Sequence, residues 1–165
     1  MTDRGRHVSE TPATRFLRAK GVSFEEHPYD YVDRGGTAES ARQLGVSEHA
    51  VFKTLVMQDE RARPLIVLMH GDRSVSTKAL ARQLGVKSVE PCDPAQAQRH
   101  TGYQVGGTSP FGLRKALPVY HEETLIVLDR VYLNGGRRGY LVSMSPAQVV
   151  ELLRSTPVHC AIEKS

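Results

Sequence analysis

The chain has 165 residues, with 22 Lys+Arg against 18 Asp+Glu for a formal charge of +4, 39% hydrophobic residues and no tryptophan. This length accommodates one domain with a real core, and the composition excludes a disordered chain. The modest positive excess permits a polyanionic partner without demanding one, while Cys92 and Cys160 form neither a disulfide framework nor a metal-type spacing.

Residues 1–10 are polar and read as a flexible extension; M-T-D-R-G-R-H lacks the apolar core of a signal peptide. Thr11-Pro12 then opens a helix as N-cap and N1, ending at Gly21. The same device recurs at Asp93-Pro94, with Gly102 as the stop, and at Ser145-Pro146. Between the helices, apolar and β-branched runs predict strands over Val22–Tyr29, Val51–Gln58, Leu65–His70, Leu125–Leu133 and Tyr140–Met144. Val158, Cys160 and Ile162 alternate in a further strand. The hexapeptide A-R-Q-L-G-V occurs at Ala41–Val46 and Ala81–Val86, each copy a helix ending at a C′ glycine. Two copies do not make a solenoid. Strands and helices intermix without clean βαβ alternation, so the fold class expected is α+β, a single domain over 11–165 with a mixed sheet and flanking helices. The longest purely aliphatic run, Leu65–Met69, is too short to cross a bilayer. A cytoplasmic protein with no membrane association is expected.

Two segments carry the chemistry. In V-F-K-T (Val51–Thr54) a lysine interrupts an apolar strand, sharing a face with Leu55 and Met57. Its ammonium either snorkels at the strand end or holds an anion in a water-poor pocket. In V-G-G-T-S-P-F-G (Val105–Gly112) Gly106 and Gly107 allow close approach to the main chain and Pro110 fixes the exit. The loop is either a tight connection or a set of amide donors aimed at a carbonyl, hydroxyl or oxyanion. It matches neither a Walker loop nor a dinucleotide fingerprint. N-G-G-R-R-G (Asn134–Gly139) reads as a hairpin turn whose Arg137 and Arg138, with Arg114 and Lys115, are either solvated or share a basic rim. The seven histidines show no H-x-x-x-H pair, so no metal and no cofactor are expected. Ser109 and Ser74 lack a nucleophile elbow, and Cys92, ahead of a helix start, reads as a capped structural cysteine.

V-F-K-T-L-V (Val51–Val56), T-G-Y-Q-V-G-G-T-S-P-F-G (Thr101–Gly112) and N-G-G-R-R-G together resemble the signature segments of the YbaK/EbsC family. These are free-standing relatives of the editing domain inserted in bacterial prolyl-tRNA synthetases. F-E-E-H-P-Y-D (Phe24–Asp30) and D-P-A-Q-A-Q-R-H-T-G-Y (Asp93–Tyr103) fit the same pattern, so the resemblance runs in order over about residues 11–160. It implies a barrel-like mixed sheet and a trans-editing activity on mischarged tRNA, typically Cys-tRNA(Pro). The family's lysine falls on Lys53, its G-x-x-x-P loop on Gly106–Pro110 (with Gly107, Thr108 and Ser109 between) and its early-strand tyrosine on Tyr29. The resemblance implies that the loop holds the terminal adenosine and the ester, that Lys53 is needed for activity, and that the substrate's own thiol attacks. The implied partners are the tRNA acceptor end, its phosphates reached by Arg114, Lys115, Arg137 and Arg138, and a prolyl-tRNA synthetase. Another small aminoacyl group, as in Ala-tRNA(Pro), or a non-catalytic binding module are the alternatives. Ser76 and Thr108 depart from the commoner residues at their positions, and residues 1–10 have no counterpart in the pattern.

Overall fold

The computed structural model describes residues 10–164. Of the expected N-terminal extension only Glu10 is among them, accepting a hydrogen bond from Arg18 at 3.0 Å; residues 1–9 lie outside the described residues. In chain order the elements are α1 (Pro12–Ala19), β1 (Glu25–Pro28), α2 (Gly36–Leu44), a 3₁₀ turn (Glu48–Ala50), β2 (Phe52–Asp59) and β3 (Pro64–His70). There follow β4 (Arg73–Val75), α3 (Thr77–Leu84), β5 (Val89–Pro91), α4 (Pro94–Thr101) and β6 (Val119–Glu122). A second 3₁₀ turn (Glu123–Val127) precedes β7 (Val131–Arg137), β8 (Tyr140–Met144), α5 (Pro146–Leu153), β9 (Thr156–Val158) and β10 (Ala161–Glu163).

The three Ser/Thr/Asp-Pro starts all nucleate helices with reciprocal caps. The side chains of Thr11, Asp93 and Ser145 accept from the N3 amides of Thr14, Gln96 and Gln148, whose side chains reach back to the cap backbone. Both A-R-Q-L-G-V copies end as expected, with Gly45 and Gly85 left-handed at φ 71° and 72°. Ser76, departing from its commoner counterpart, still caps α3 through Ala79 N–H at 3.2 Å.

The main sheet runs β5-β2-β3-β6-β9, antiparallel except for the parallel β3–β6 and β6–β9 pairs. A second, antiparallel sheet runs β1-β8-β7, and β10 pairs with β4. A parallel bridge between Val51 and Tyr132 links the two larger sheets. This is the expected mixed α+β fold, its strands arranged in three sheets of which the two larger are joined by that bridge. Alternating residues of β2 and β3 supply two cores. Phe52, Val56, Ile66 and Leu68 face Leu133, Tyr140 and Val142 of the second sheet. Met57, Leu65, Val67 and Met69 face Leu80 and Ala81 of α3. Burial on both faces is why β3 reads as an unbroken apolar run.

Three strand expectations need correction. The first strand is Glu25–Pro28, shorter than Val22–Tyr29. Leu125–Leu133 is not one strand: Leu125–Val127 close a 3₁₀ turn and the strand starts at Val131, running into the glycines of the N-G-G-R-R-G segment. Asp129 and Arg130 break the apolar run and separate the two conformations. The alternating Val158, Cys160 and Ile162 belong to two short strands, β9 beside β6 and β10 beside β4, so the chain changes sheets at Cys160. No helix among the described residues is long and apolar enough to cross a membrane.

Candidate active site

β5 pairs only with the far half of β2, Met57–Asp59, and β7 bridges only at Val51, so among the described residues Lys53–Leu55 have no paired strand on this side. The gap opens into a cavity of about 580 Å³, floored by Phe52–Met57 and walled by the 29–37 segment, the start of α4 and the Val105–Thr108 loop. Lys53 is part of its lining. The Lys53 Nζ donates to the Arg73 carbonyl at 2.5 Å, which leaves two of its three N–H donors for other acceptors. Burial pushes the Lys53 pKa below that of a free lysine, Lys164 adds to this, and the carboxylates of Glu48 and Asp72 oppose it. Glu48 is itself held by Thr37 Oγ1 at 2.8 Å and Lys164 Nζ at 3.0 Å.

The two glycine segments meet at the mouth. Asn134 Nδ2 donates to the Gly106 carbonyl at 3.2 Å, and Arg138 Nε donates to the Val105 carbonyl at 2.9 Å. The Arg138 guanidinium lies over the Tyr31 ring at 5.0 Å. Gly106 has φ 86°, and a Cβ there would sit 2.9 Å from the Tyr31 hydroxyl and 3.2 Å from Arg138 Nε. A side chain at this position would displace the Tyr31 hydroxyl or the Arg138 guanidinium from the mouth.

The remaining candidates divide by position. Tyr29, Gly106, Thr108 and Arg138 line the cavity with Lys53. Gly107 does not line it: its amide donates to the Gln104 carbonyl at 2.9 Å, and its α-carbon packs on the Arg137 backbone. Ser109 and Pro110 turn inward. Ser109 is fully buried with its Oγ accepting from Phe111 N–H at 3.2 Å, and Phe111 plugs the main core against Phe16. Arg137 stacks over Tyr140 at 4.9 Å. Arg114 and Lys115 lie at the C-terminal end of α4, against Gly102 and His100 respectively, and do not line the cavity.

Sequence reasoning passed over the β1–α2 connection and the start of α2, from which Tyr31, Val32, Asp33, Arg34, Gly36 and Thr37 line the cavity. Arg34 and Gly36 take left-handed backbone, φ 63° and 61°. Gly35, the N-cap of α2, offers no side-chain acceptor, so the positive end of this helix borders the cavity without a side-chain cap. The double glycine of D-R-G-G-T was the available signal.

No histidine is among the lining residues, and the hydroxyls of Thr37, Ser40, Thr54 and Thr108 therefore have no imidazole base within the cavity wall. Cys92 lines the cavity, but burial, followed by the charges of Asp93 and Glu90, pushes its thiol pKa up and away from the thiolate. The arrangement offers an ammonium and a helix N-terminus that can bind and polarise a carbonyl oxygen.

Residues 34–152 match the family model of the aminoacyl-tRNA editing domain. Over 144 residues the chain is 29% identical to the "Putative Cys-tRNA(Pro)/Cys-tRNA(Cys) deacylase EbsC" of Enterococcus faecalis, covering 87% of this chain and 88% of that protein. It is 23% identical over 137 residues to a proline–tRNA ligase of Limosilactobacillus fermentum, a match spanning 79% of this chain and 24% of the ligase. Among solved structures, the "putative trans-editing enzyme for prolyl tRNA synthetase" superposes with a TM-score of 0.82 at 21% identity, over 93% of this chain and 99% of the other.

Proposed function

The chain belongs to the aminoacyl-tRNA editing domain family, and from that membership we propose that it is a cytoplasmic trans-editing deacylase whose preferred substrate is Cys-tRNA(Pro). The observation that carries this reading is Lys53 in a cavity that offers polarising groups but no activated nucleophile. An aminoacyl ester is already reactive, so orientation and stabilisation of the developing oxyanion are the tasks left to the protein. In this reading the Lys53 ammonium, fixed by the Arg73 carbonyl, takes the charge on the carbonyl oxygen. The uncapped end of α2 adds a positive wall. Tyr29, Tyr31, Gly106 and Thr108, which line the cavity, hold the terminal adenosine, and Arg138 steadies the loop. Gly107, Ser109 and Pro110 set the loop's shape from behind. For a cysteinyl ester the substrate sulfur attacks its own carbonyl carbon, the ester C–O bond breaks, and the thiol proton passes to the departing ribose oxygen. A prolyl-tRNA synthetase is the proposed partner, since the chain resembles part of one.

The test is deacylation of Cys-tRNA(Pro), Ala-tRNA(Pro) and Pro-tRNA(Pro) by wild type and Lys53→Ala. Release of cysteine alone, reduced at least about a hundredfold by the substitution while circular dichroism is unchanged, is expected; one lost charge-stabilising donor has that magnitude. Release from Ala-tRNA(Pro) overturns an obligatory substrate thiol. Release from none, with tRNA still bound, replaces the enzyme by a binding module.

A further inference from the structure

Glu122, the last residue of β6, is 1% exposed. Its Oε1 accepts the Cys160 N–H at 2.8 Å, while Oε2 is buried with no hydrogen-bond partner. The neighbouring Cys160 thiol also bonds this carboxylate, and burial followed by the carboxylate pushes its pKa up, but a thiol is a weak donor, and a counter-charge is the ordinary remedy for a carboxylate removed from water. What faces it is His159 Nδ1, 3.7 Å from Glu122 Oε2 and 3.1 Å from Glu123 Oε2. We propose that Glu122, Glu123 and His159 form a site for a divalent cation of the zinc class, separate from the cavity that Lys53 lines.

The three ligand atoms lie within 4.8 Å of one another. Ligands bound to tetrahedral zinc at about 2.0–2.2 Å stand about 3.2–3.6 Å apart, close to the 3.7 and 3.1 Å from His159 Nδ1 to the two carboxylates. Two carboxylates and a neutral imidazole balance a 2+ charge, and the nitrogen donor favours zinc over the all-oxygen preference of calcium or magnesium. The histidine is already held. Gln83 accepts the His159 N–H at 2.9 Å and donates to its carbonyl at 2.8 Å, and the Cys160 carbonyl accepts the Ser76 N–H at 2.7 Å. The His159 side chain is 75% exposed, which leaves the fourth position open to water. The other cluster of this kind, His49, His70 and Asp72, is less suited: both ring nitrogens of His70 are engaged, by the His49 carbonyl and Thr124 Oγ1. None of Glu122, Glu123 and His159 lines the cavity. The ion's role is structural, pinning the corner after β6 to the β9–β10 turn where the chain changes sheets.

The experiment is isothermal titration of the metal-stripped full chain with ZnCl₂, with melting followed in parallel. Wild type is expected to bind one ion per chain and to gain about 5–10 °C in Tm at a hundredfold excess over Kd, with no gain from MgCl₂. His159→Ala, at an exposed position, is expected to fold and deacylate as wild type yet lose the one-to-one isotherm; Glu123→Gln should do the same. Absence of one-to-one binding, or binding retained in both variants, overturns the proposal.

Discussion

Gly106 and Gly85 share a left-handed backbone, at φ 86° and 72°, and differ in what surrounds them. Beside Gly85 a new Cβ meets nothing within 4 Å, so Gly85→Ala bears only the backbone strain, about 1 kcal/mol. At Gly106 the same methyl group collides with the Tyr31 hydroxyl and Arg138 Nε, the two groups that set the mouth of the cavity. The two substitutions are therefore expected to lower Tm to a similar degree, since the mouth side chains can move into solvent. Only Gly106→Ala should also lower deacylation kcat/KM, by about tenfold or more. Melting curves and kinetics on both proteins separate strain from damage to the site; equal kinetics would remove the loop from the substrate's path.

At the scale of elements, what was legible in the sequence was whatever is decided locally. Pro12, Pro94 and Pro146 sit one residue inside their helices, and Gly45 and Gly85 sit just beyond theirs, because caps are short-range chemistry. Leu125–Val127 misled because an apolar triplet has the same composition in a 3₁₀ turn, where only Leu125 is buried, as in a strand. The cavity was half legible for the same reason. Lys53 and Gly106 announce themselves by being odd in their own segments, whereas Tyr31 and Thr37 become lining residues only when the β1–α2 connection folds over the open edge of β2. Ser109 looked like part of the ligand loop, yet the pull of Phe111 into the core turns it inward.

The β2–β3 hairpin shows local chemistry governing an element's stability. Asp59 accepts the Arg63 N–H at 3.0 Å, the Arg63 Nε at 2.8 Å and the Arg61 N–H at 2.9 Å, across a turn in which Ala62 takes φ 60°. These bonds, the Arg63 amide foremost, hold the Asp59 pKa below the usual carboxylate value. A depressed carboxylate pKa gives stability that is present above the unfolded value, about 3.9, and lost as pH falls through the folded one. Asp59→Asn is thus expected to melt below wild type at pH 7, with the gap narrowing below about pH 4. Tm measured across that range checks it; a gap independent of pH would mean the carboxylate's charge is irrelevant.

For the whole molecule, three of the basic residues considered for tRNA contact fall into two places. Arg138 stands at the cavity mouth, and Arg114 and Lys115 stand at the other end of α4, whose Pro94 and Ala97 line the cavity. An eight-residue helix is about 12 Å long, a reach of a few nucleotides. If the cavity takes a single-stranded 3′ end, the phosphates of the duplex begin at about that distance. The pair is then placed to act on acceptor-stem affinity and not on the chemical step. Replacing both by alanine is expected to reduce the slope of log K against log salt by up to about 2, since each phosphate contact contributes about 0.9. Cleavage of a short aminoacyl oligonucleotide lacking the duplex should be unchanged. An unchanged slope with full tRNA would place the stem on another face, while slower cleavage of the short substrate would show that the end of α4 communicates with the cavity through the helix itself.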